Sequence, residues 1–333
     1  MKRIFFALVL SLTIINSYAQ QKVCVAFYNQ ENLFDTINDP DKNDEEFLPE
    51  GKYKWNTERY ITKLNNMAKV ISALNPDFLG MCEVESIHSL TDLINNKQLI
   101  ASNFQPVFFE GPDERGIDNA LIFKKTIVKE AKGKLFTISP DGLGGDKTRG
   151  ILFANITLNN NEHIYFLVNH FPSRREGEKE SEPKRLYVAG VVKHICDSLY
   201  KKDAKANIIV MGDFNDYPNN ASIKDVIGAT GDMKTIQVNG FFNPMYSLME
   251  QGKGSYRHKG EWNFLDQIIL SNNLLNGKSK VSYKSNSADI FKQDWMLETE
   301  EKYKGNPLRT FGGMKFLNGY SDHLPVMLYL DIK

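Results

Sequence analysis

The chain has 333 residues, 41% of them apolar and 25% charged, which is enough to bury a large core. Its 41 basic residues balance its 41 acidic ones; without Lys2 and Arg3, which fall in a leader described next, 39 stand against 41, or minus two. That balance excludes the strong basic excess of a protein held mainly by nucleic-acid phosphates, though it leaves such a substrate open.

The N-terminus, MKRIFFALVLSLTIINSYAQQ, sets a Lys-Arg pair before a mostly apolar run from Ile4 to Ile15, then Ser17-Tyr18-Ala19 with small residues at the first and third places. This is the order of a secretory signal peptide, and the run is too short to span a bilayer comfortably. Residues 1–19 are therefore expected to be removed and the mature chain exported, soluble, to the periplasm or beyond. Cys24, Cys82 and Cys196 are few, odd in number and set in apolar patterns, so they read as buried small hydrophobes.

From there strand-like and helix-like segments alternate, with no repeat or low-complexity linker, so 20–333 reads as one domain. KVCVAFYN is a β-rich run ending at Asn29, and NDPDKNDEEFLPEGK after it is an acidic, turn-rich surface loop. Between Thr57 and Leu74, Ile61, Leu64, Met67, Ala68, Ile71 and Leu74 recur at helical spacing, with Asn75-Pro76 as a stop. DFLGMCEVE, ALIFKK, RGILFANITL, HIYFLVNHF, NIIVMGDF and FLDQIILS are further strands. SEPKRLYVAGVVKHICDSLYKK, with a Ser and an early Pro at its start, is a second helix. GFFNPMYSL reads as packing, and His88, His163, His194 and His258 as surface or edge histidines.

Polar residues gather at the ends of these strands: Asn29 and Glu31, Glu83 and Glu85, Asn169 and His170, Asp213 and Asn215, Asp266, and Asp322 with His323. One Asp or Asn beside a strand is ordinarily a turn residue. Six such places in one chain point to a shared site held by rigid elements. Asp, Glu and Asn oxygens without clustered Cys or His suit Mg²⁺, Mn²⁺ or Ca²⁺ better than zinc. With two histidines able to hydrogen-bond a phosphoryl oxygen or move a proton, the chemistry indicated is metal-assisted phosphoester hydrolysis.

YNQENLFD, DFLGMCEVES, VNHFPSRR, MGDFNDYP, FLDQIILS and YSDHLPV, in that order, resemble the signature segments of the metal-dependent endonuclease, exonuclease and phosphatase superfamily. The resemblance implies an α/β four-layer sandwich, two mixed β-sheets packed face to face with helices outside and the active site at one end. It implies Glu83 as principal metal ligand, helped by Asn29 and by Asp322, with Glu31 secondary. Asp213 and Asn215 match the pair that orients water and binds phosphate, Asp213 being the general base. Asp266 matches the acid that hydrogen-bonds His323, and His170 the second histidine. Asp118, read as ending a strand, stands where relatives keep an acid that orients that second histidine. Arg149 and Arg174 are candidates for phosphate oxygens. For Arg175 a solvated surface charge is the expectation, while Tyr256, Arg257 and Trp262 are candidates to line the substrate side, with core packing an equal reading for Trp262.

The substrate so indicated is a phosphodiester or phosphomonoester. An exported nuclease acting on DNA or RNA leads. A phosphatase or phosphodiesterase for a small molecule or lipid headgroup, sphingomyelinase-like or inositol-phosphate phosphatase-like, is second, and a noncatalytic binding module on the same fold is third.

Overall fold

In the computed structural model, which describes residues 21–275, 277 and 279–333, the β-rich runs become two seven-stranded sheets. The leader expected at 1–19 lies outside the described residues. In chain order the first strands are β1 (Gln21–Leu33), β2 (Phe78–Val84), β3 (Phe104–Phe108), β4 (Asp118–Lys124), β5 (Val128–Phe136), β6 (Ile151–Leu158), β7 (His163–His170) and β8 (Ile208–Asp213). Short pieces follow as β9 (Ala229–Thr230), β10 (Phe241–Phe242), β11 (Tyr256–His258) and β12 (Glu261–Asn263). The rest are β13 (Asp266–Ser271), β14 (Val281–Tyr283), β15 (Asp289–Ile290), β16 (Phe311–Gly312), β17 (Lys315–Phe316) and β18 (Val326–Ile332). One sheet has the order β14-β18-β1-β2-β4-β3, with β15 also on β18, and the other β5-β6-β7-β8-β13-β10-β9. Both are mixed, since β1 runs parallel to β2 but antiparallel to β18, and β7 parallel to β8 but β13 antiparallel to it.

The period-2 alternation of side chains builds the layers. Val23, Val25 and Phe27 of β1 face the other sheet and join Val168, Met211 and Ile268 in the central core. Ala26 and Tyr28, on the opposite face, pack with Leu64, Met67 and Ile71 of helix α1 (Thr57–Leu74). In the second sheet Leu167, Val210 and Ile269 turn outward onto Val188, Val192 and Cys196 of the long helix Glu178–Lys202. Helix, sheet, sheet, helix is the expected sandwich. The three cysteines are buried and unpaired, as their apolar settings imply. Phe241, Phe242 and Met245 are core residues, and His88, His163, His194 and His258 are exposed.

Asn56 caps α1 by accepting from the Arg59 amide, and Asn75 ends it in the left-handed region at φ 50°, just before Pro76. One member of the expected apolar stripe is misplaced. Ile61 is 50% exposed, whereas Lys63 is 1% exposed on the buried face. The helix phase turns Lys63 inward because its ammonium reaches Thr310 Oγ1 at 2.7 Å and the Tyr320 carbonyl at 2.6 Å. After α2 (Ile87–Ile94), which Ser86 caps, α3 (Glu178–Lys202) begins three residues before the expected Ser181. Glu178 and Glu180 favour the positive helix start there, which puts Pro183 inside the second turn. A short α4 (Met245–Glu250) precedes the β11–β12 hairpin.

The sheets meet closely at Gly80 of β2, where an added Cβ would lie 2.4 Å from Met211 Sδ and 3.2 Å from Phe27 Cδ2. Overpacking of this kind costs about 1–3 kcal/mol. Gly80→Ala is therefore expected to lower unfolding stability by that amount in urea titrations, and an unchanged midpoint would contradict this packing.

Candidate active site

Most of the scattered polar residues arrive at one end of the sandwich. There Glu31, Glu83, His170, Asp213, Asn215, Asp322 and His323 line a cleft of about 710 Å³. Glu85 and Asn169 are bonded to backbone outside the cleft lining. Asn29 and Asp266 are buried behind its floor, at 2% and 0% exposure. Register brings several of these together directly: Asp213 pairs with His170 on one side and Asp266 on the other, and Asn29 pairs with Cys82, next to Glu83.

Two bulges aim the acids. The β1–β2 register shifts between Asn29 and Leu33, and the β2–β4 register between Met81 and Val84. Within them Glu31, Asn32 and Glu83 sit at φ 47°, 60° and 60°, and Asn215 takes φ 49° after β8. Non-glycine residues held there store on the order of 1–3 kcal/mol each, and bulges commonly re-aim side chains beside active sites. The Asn29 side chain accepts from the Glu31 amide at 2.9 Å, and the Asn32 amide donates to Glu83 Oε2 at 3.0 Å, which fixes the turn.

Asp213 is the centre of the arrangement. Its Oδ2 accepts from Asn29 Nδ2 at 3.1 Å and lies 3.7 Å from His170 Nε2 and 3.8 Å from His323 Nε2. His323 Nδ1 meets Asp266 Oδ2 at 2.6 Å. Burial alone would lower the His323 pKa, but the charge and hydrogen bond of Asp266, with Asp213 and Asp322 beyond, hold it well above the ordinary value. His170 goes the other way, since burial and then the positive Arg149 and Arg115 keep it neutral. Burial, with Asp266 and Glu83 adding to it, raises Asp213 to about 7 against the opposing charge of His323. One imidazolium and one neutral imidazole thus flank a carboxylate.

The donor set fits a hard divalent cation. Glu83 Oε1 faces the cleft with only the neutral His170, at 3.9 Å, near it, and Asp213 lacks a Lys or Arg partner among the described residues. A cation there would offset the burial and, after it, the neighbouring carboxylates that raise Asp213.

Other expected residues are placed differently. Both Glu31 oxygens are engaged, by Arg309 Nε at 3.1 Å and the Thr310 amide at 2.7 Å. Arg174 lines the cleft, but its guanidinium is spent on the Asn215 carbonyl, Asp216, Asn220 and Glu178. Arg149 is held by Asp113 and the Phe171 carbonyl. Asp118 begins β4 rather than ending a strand, and its Oδ2 accepts from the Gly111 amide at 2.8 Å. It lies outside the cleft lining, and neither its Oδ1 nor His170 Nδ1 has a partner. Of Tyr256, Arg257 and Trp262, Tyr256 lines the cleft, its ring 4.8 Å from that of His323, while Trp262 packs on the helical-side core. Arg175 is exposed as expected, yet it stands on the cleft wall, as do Arg115, Lys147 and His258. Arg309, which also reaches Asp322 Oδ2 at 3.0 Å, was missed because no local pattern marks a loop arginine. A second cavity of about 680 Å³ lies at the other ends of β7 and β8, around His163 and Asn207.

Gly212 lets the two central strands approach. A Cβ there would stand 2.2 Å from the Asn169 carbonyl oxygen, a backbone atom of the strand that carries His170. Gly212→Ala is expected to push His170 away from Asp213 and cut turnover at least tenfold, since small misplacements cost catalysis heavily. Unchanged kcat/KM would show that this spacing is unimportant.

A family model described as Endonuclease/Exonuclease/phosphatase family matches residues 24–332. No curated protein matches the chain. Among solved structures, D. rerio TDP2 complexed with single-strand DNA product is similar at TM-score 0.55 and 13% identity, covering 93% of this chain and 98% of that one. The mannosyl-6-phosphatase Bt3783 of Bacteroides thetaiotaomicron VPI-5482 is similar at TM-score 0.54 and 16% identity, covering 92% and 99%. At such identities these likenesses speak for the fold, while the family match spans nearly the whole described chain. The chain belongs to the endonuclease/exonuclease/phosphatase family of divalent-metal-dependent phosphoric ester hydrolases.

Proposed function

We propose that this protein is an exported nuclease, one domain over 20–333 after loss of its leader, that hydrolyses DNA or RNA phosphodiesters by in-line attack of water. The observation that carries the reading is Asp213 Oδ2 set between two imidazoles, one protonated and one neutral, with His323 fixed by Asp266 at 2.6 Å. Asp213 orients the attacking water and accepts its proton, with Asn215 beside the phosphate, while the P–O bond opposite the water breaks and the leaving oxygen takes its proton from solvent. His323, kept protonated, donates from Nε2 to a phosphate oxygen, and the neutral His170 donates from its own Nε2. Glu83, Asn29 and Asp322 would hold the cation, Mg²⁺ first with Mn²⁺ and Ca²⁺ as alternatives, and Glu31 would support Asp322 through Arg309. When bound, the ion supplies positive charge that offsets the phosphate's.

A second reading, hydrolysis of a small phosphoester or lipid headgroup, draws on the fold shared with a mannosyl-6-phosphatase and on the balanced net charge. An activity panel with each of the three cations decides, testing plasmid DNA, RNA, bis-nitrophenyl phosphate, sphingomyelin, inositol phosphates and sugar phosphates. Nicked plasmid without turnover of the small esters is the expected result. The reverse pattern would hand the function to the second reading.

A further inference from the structure

Charge pairing inside the cleft is uneven. Arg149, Arg174 and Arg309 are each engaged by carboxylates, and Asp146 is engaged by Lys184. What remains lies on one wall, formed by the loops around residues 113–115, 146–149 and 173–175. Lys147 and Arg175 are exposed there and make no ion pair among the described residues. Arg115 reaches only Asp113, at 3.8 Å, and that carboxylate already serves Arg149 at 3.3 Å. Glu114 is the one acid on this wall without a basic partner among the described residues. Arg115 and Arg175 line the same cleft as Glu83, His170 and Asp213.

The wall is also braced. Lys42, from the acidic loop, donates through Nζ to the Gly111 and Asp113 carbonyls at 2.8 and 3.0 Å, which holds the segment leading to Arg115. On the other side the bonds of Arg174 to the Asn215 carbonyl and Asp216 fix the backbone next to Arg175. Two unpaired cations, with a third that shares the Asp113 carboxylate with Arg149, beside a floor built for one phosphate, have an anionic complement.

We propose that Arg115, Lys147 and Arg175 form a second anion subsite, which holds a phosphate neighbouring the one under attack, so that the preferred substrate carries at least two phosphates. The inference rests on the phosphoesterase reading of the floor and adds what the substrate must bring besides its scissile bond. It also explains how a chain without net basic charge grips a polyanion: the positive charge is concentrated where the second phosphate lies.

The test is calorimetric, on the mature chain with Mg²⁺, using thymidine 3′,5′-bisphosphate and thymidine 5′-monophosphate. The wild type is expected to bind the bisphosphate about tenfold more tightly or better, the size of one or two charge-assisted hydrogen bonds. Lys147→Gln/Arg175→Gln, which alters exposed unpaired side chains, is expected to bring the two ligands within about twofold. Equal binding by the wild type, or discrimination kept by the double variant, overturns the subsite. Inositol 1,4-bisphosphate as a third ligand names the source: preference for it over the thymidine bisphosphate supports the subsite with a small polyphosphate, and the opposite order supports it with nucleic acid. Because the binding ratio and the hydrolysis panel are read separately, a chain that discriminates but hydrolyses no phosphoester refutes the catalytic reading, whereas one that hydrolyses but does not discriminate refutes the subsite.

Discussion

His323→Ala is expected to lower kcat on the preferred phosphoester by about 10²- to 10⁴-fold, the range lost with a positioned acid or base. The replaced imidazole is the one donor in the cleft that two buried carboxylates keep charged, Asp266 at 2.6 Å and Asp213 at 3.8 Å. Without it, charge building on the phosphate loses a partner made only in the transition state, so kcat falls more than KM changes. The fold is expected to survive, because His323 stands at the cleft and the replacement leaves the sheet core around Asp266 in place. Asp213→Ala is expected to lose a similar factor, and the double variant little more than either alone, since the two act as one unit. Turnover near the wild-type level in a folded His323→Ala protein would remove His323 from the mechanism.

Stripped of metal, the protein is expected to melt several degrees lower at pH 8 than at pH 5.5. Burial raises Glu85 from 4.5 to about 8, Asp118 from 3.8 to about 7, Asp213 from 3.8 to about 7 and Glu31 from 4.5 to about 7. Each binds its proton more tightly folded than unfolded. The stability it contributes is therefore complete below about pH 4 and is lost as pH climbs to 7 or 8. His323, held above its ordinary value, acts in the same direction above pH 6.5, and His170, held below its own, opposes below that pH. Magnesium favours the ionised form of the acids around it, so it is expected to raise the melting temperature more at pH 8 than at pH 5.5. Asp118 lies outside the cleft lining, so its share of the alkaline loss persists with metal. A melting temperature that rises from pH 5.5 to 8 in chelator would contradict the buried-acid account.

Much of this was legible because it is written in local patterns. The first helix was bounded at Thr57 and Leu74 by periodicity and by Asn75-Pro76, and strand ends carrying Glu83, His170 and Asp213 were marked by apolar runs that stop at a polar residue. The contact between Asp266 and His323, 57 residues apart, came from likeness to a known family rather than from spacing. What stayed hidden depends on tertiary context. No propensity shows that Glu83 turns to φ 60° at a bulge, because an interior strand position gives no sign of an inserted residue. Arg174 looked like a phosphate ligand until Asp216 and Asn220 were seen to consume its donors, and the cleft wall of Arg115, Lys147 and Arg175 is assembled from three loops that share no motif. Lys63 was hidden because a lysine on a helix normally faces water, and only Thr310 and Tyr320, far along the chain, give it reason to turn inward.

Groups from residue 29 to residue 323 are expected to gather around a divalent cation, and Mn²⁺ titrated into metal-free wild-type and Glu83→Gln protein, followed by calorimetry, reads that gathering without a substrate. A specific site is expected in the wild type and its loss in the variant, whose melting temperature in chelator stays within a few degrees of the wild type. Undiminished Mn²⁺ affinity in Glu83→Gln, or no site in the wild type, would contradict it.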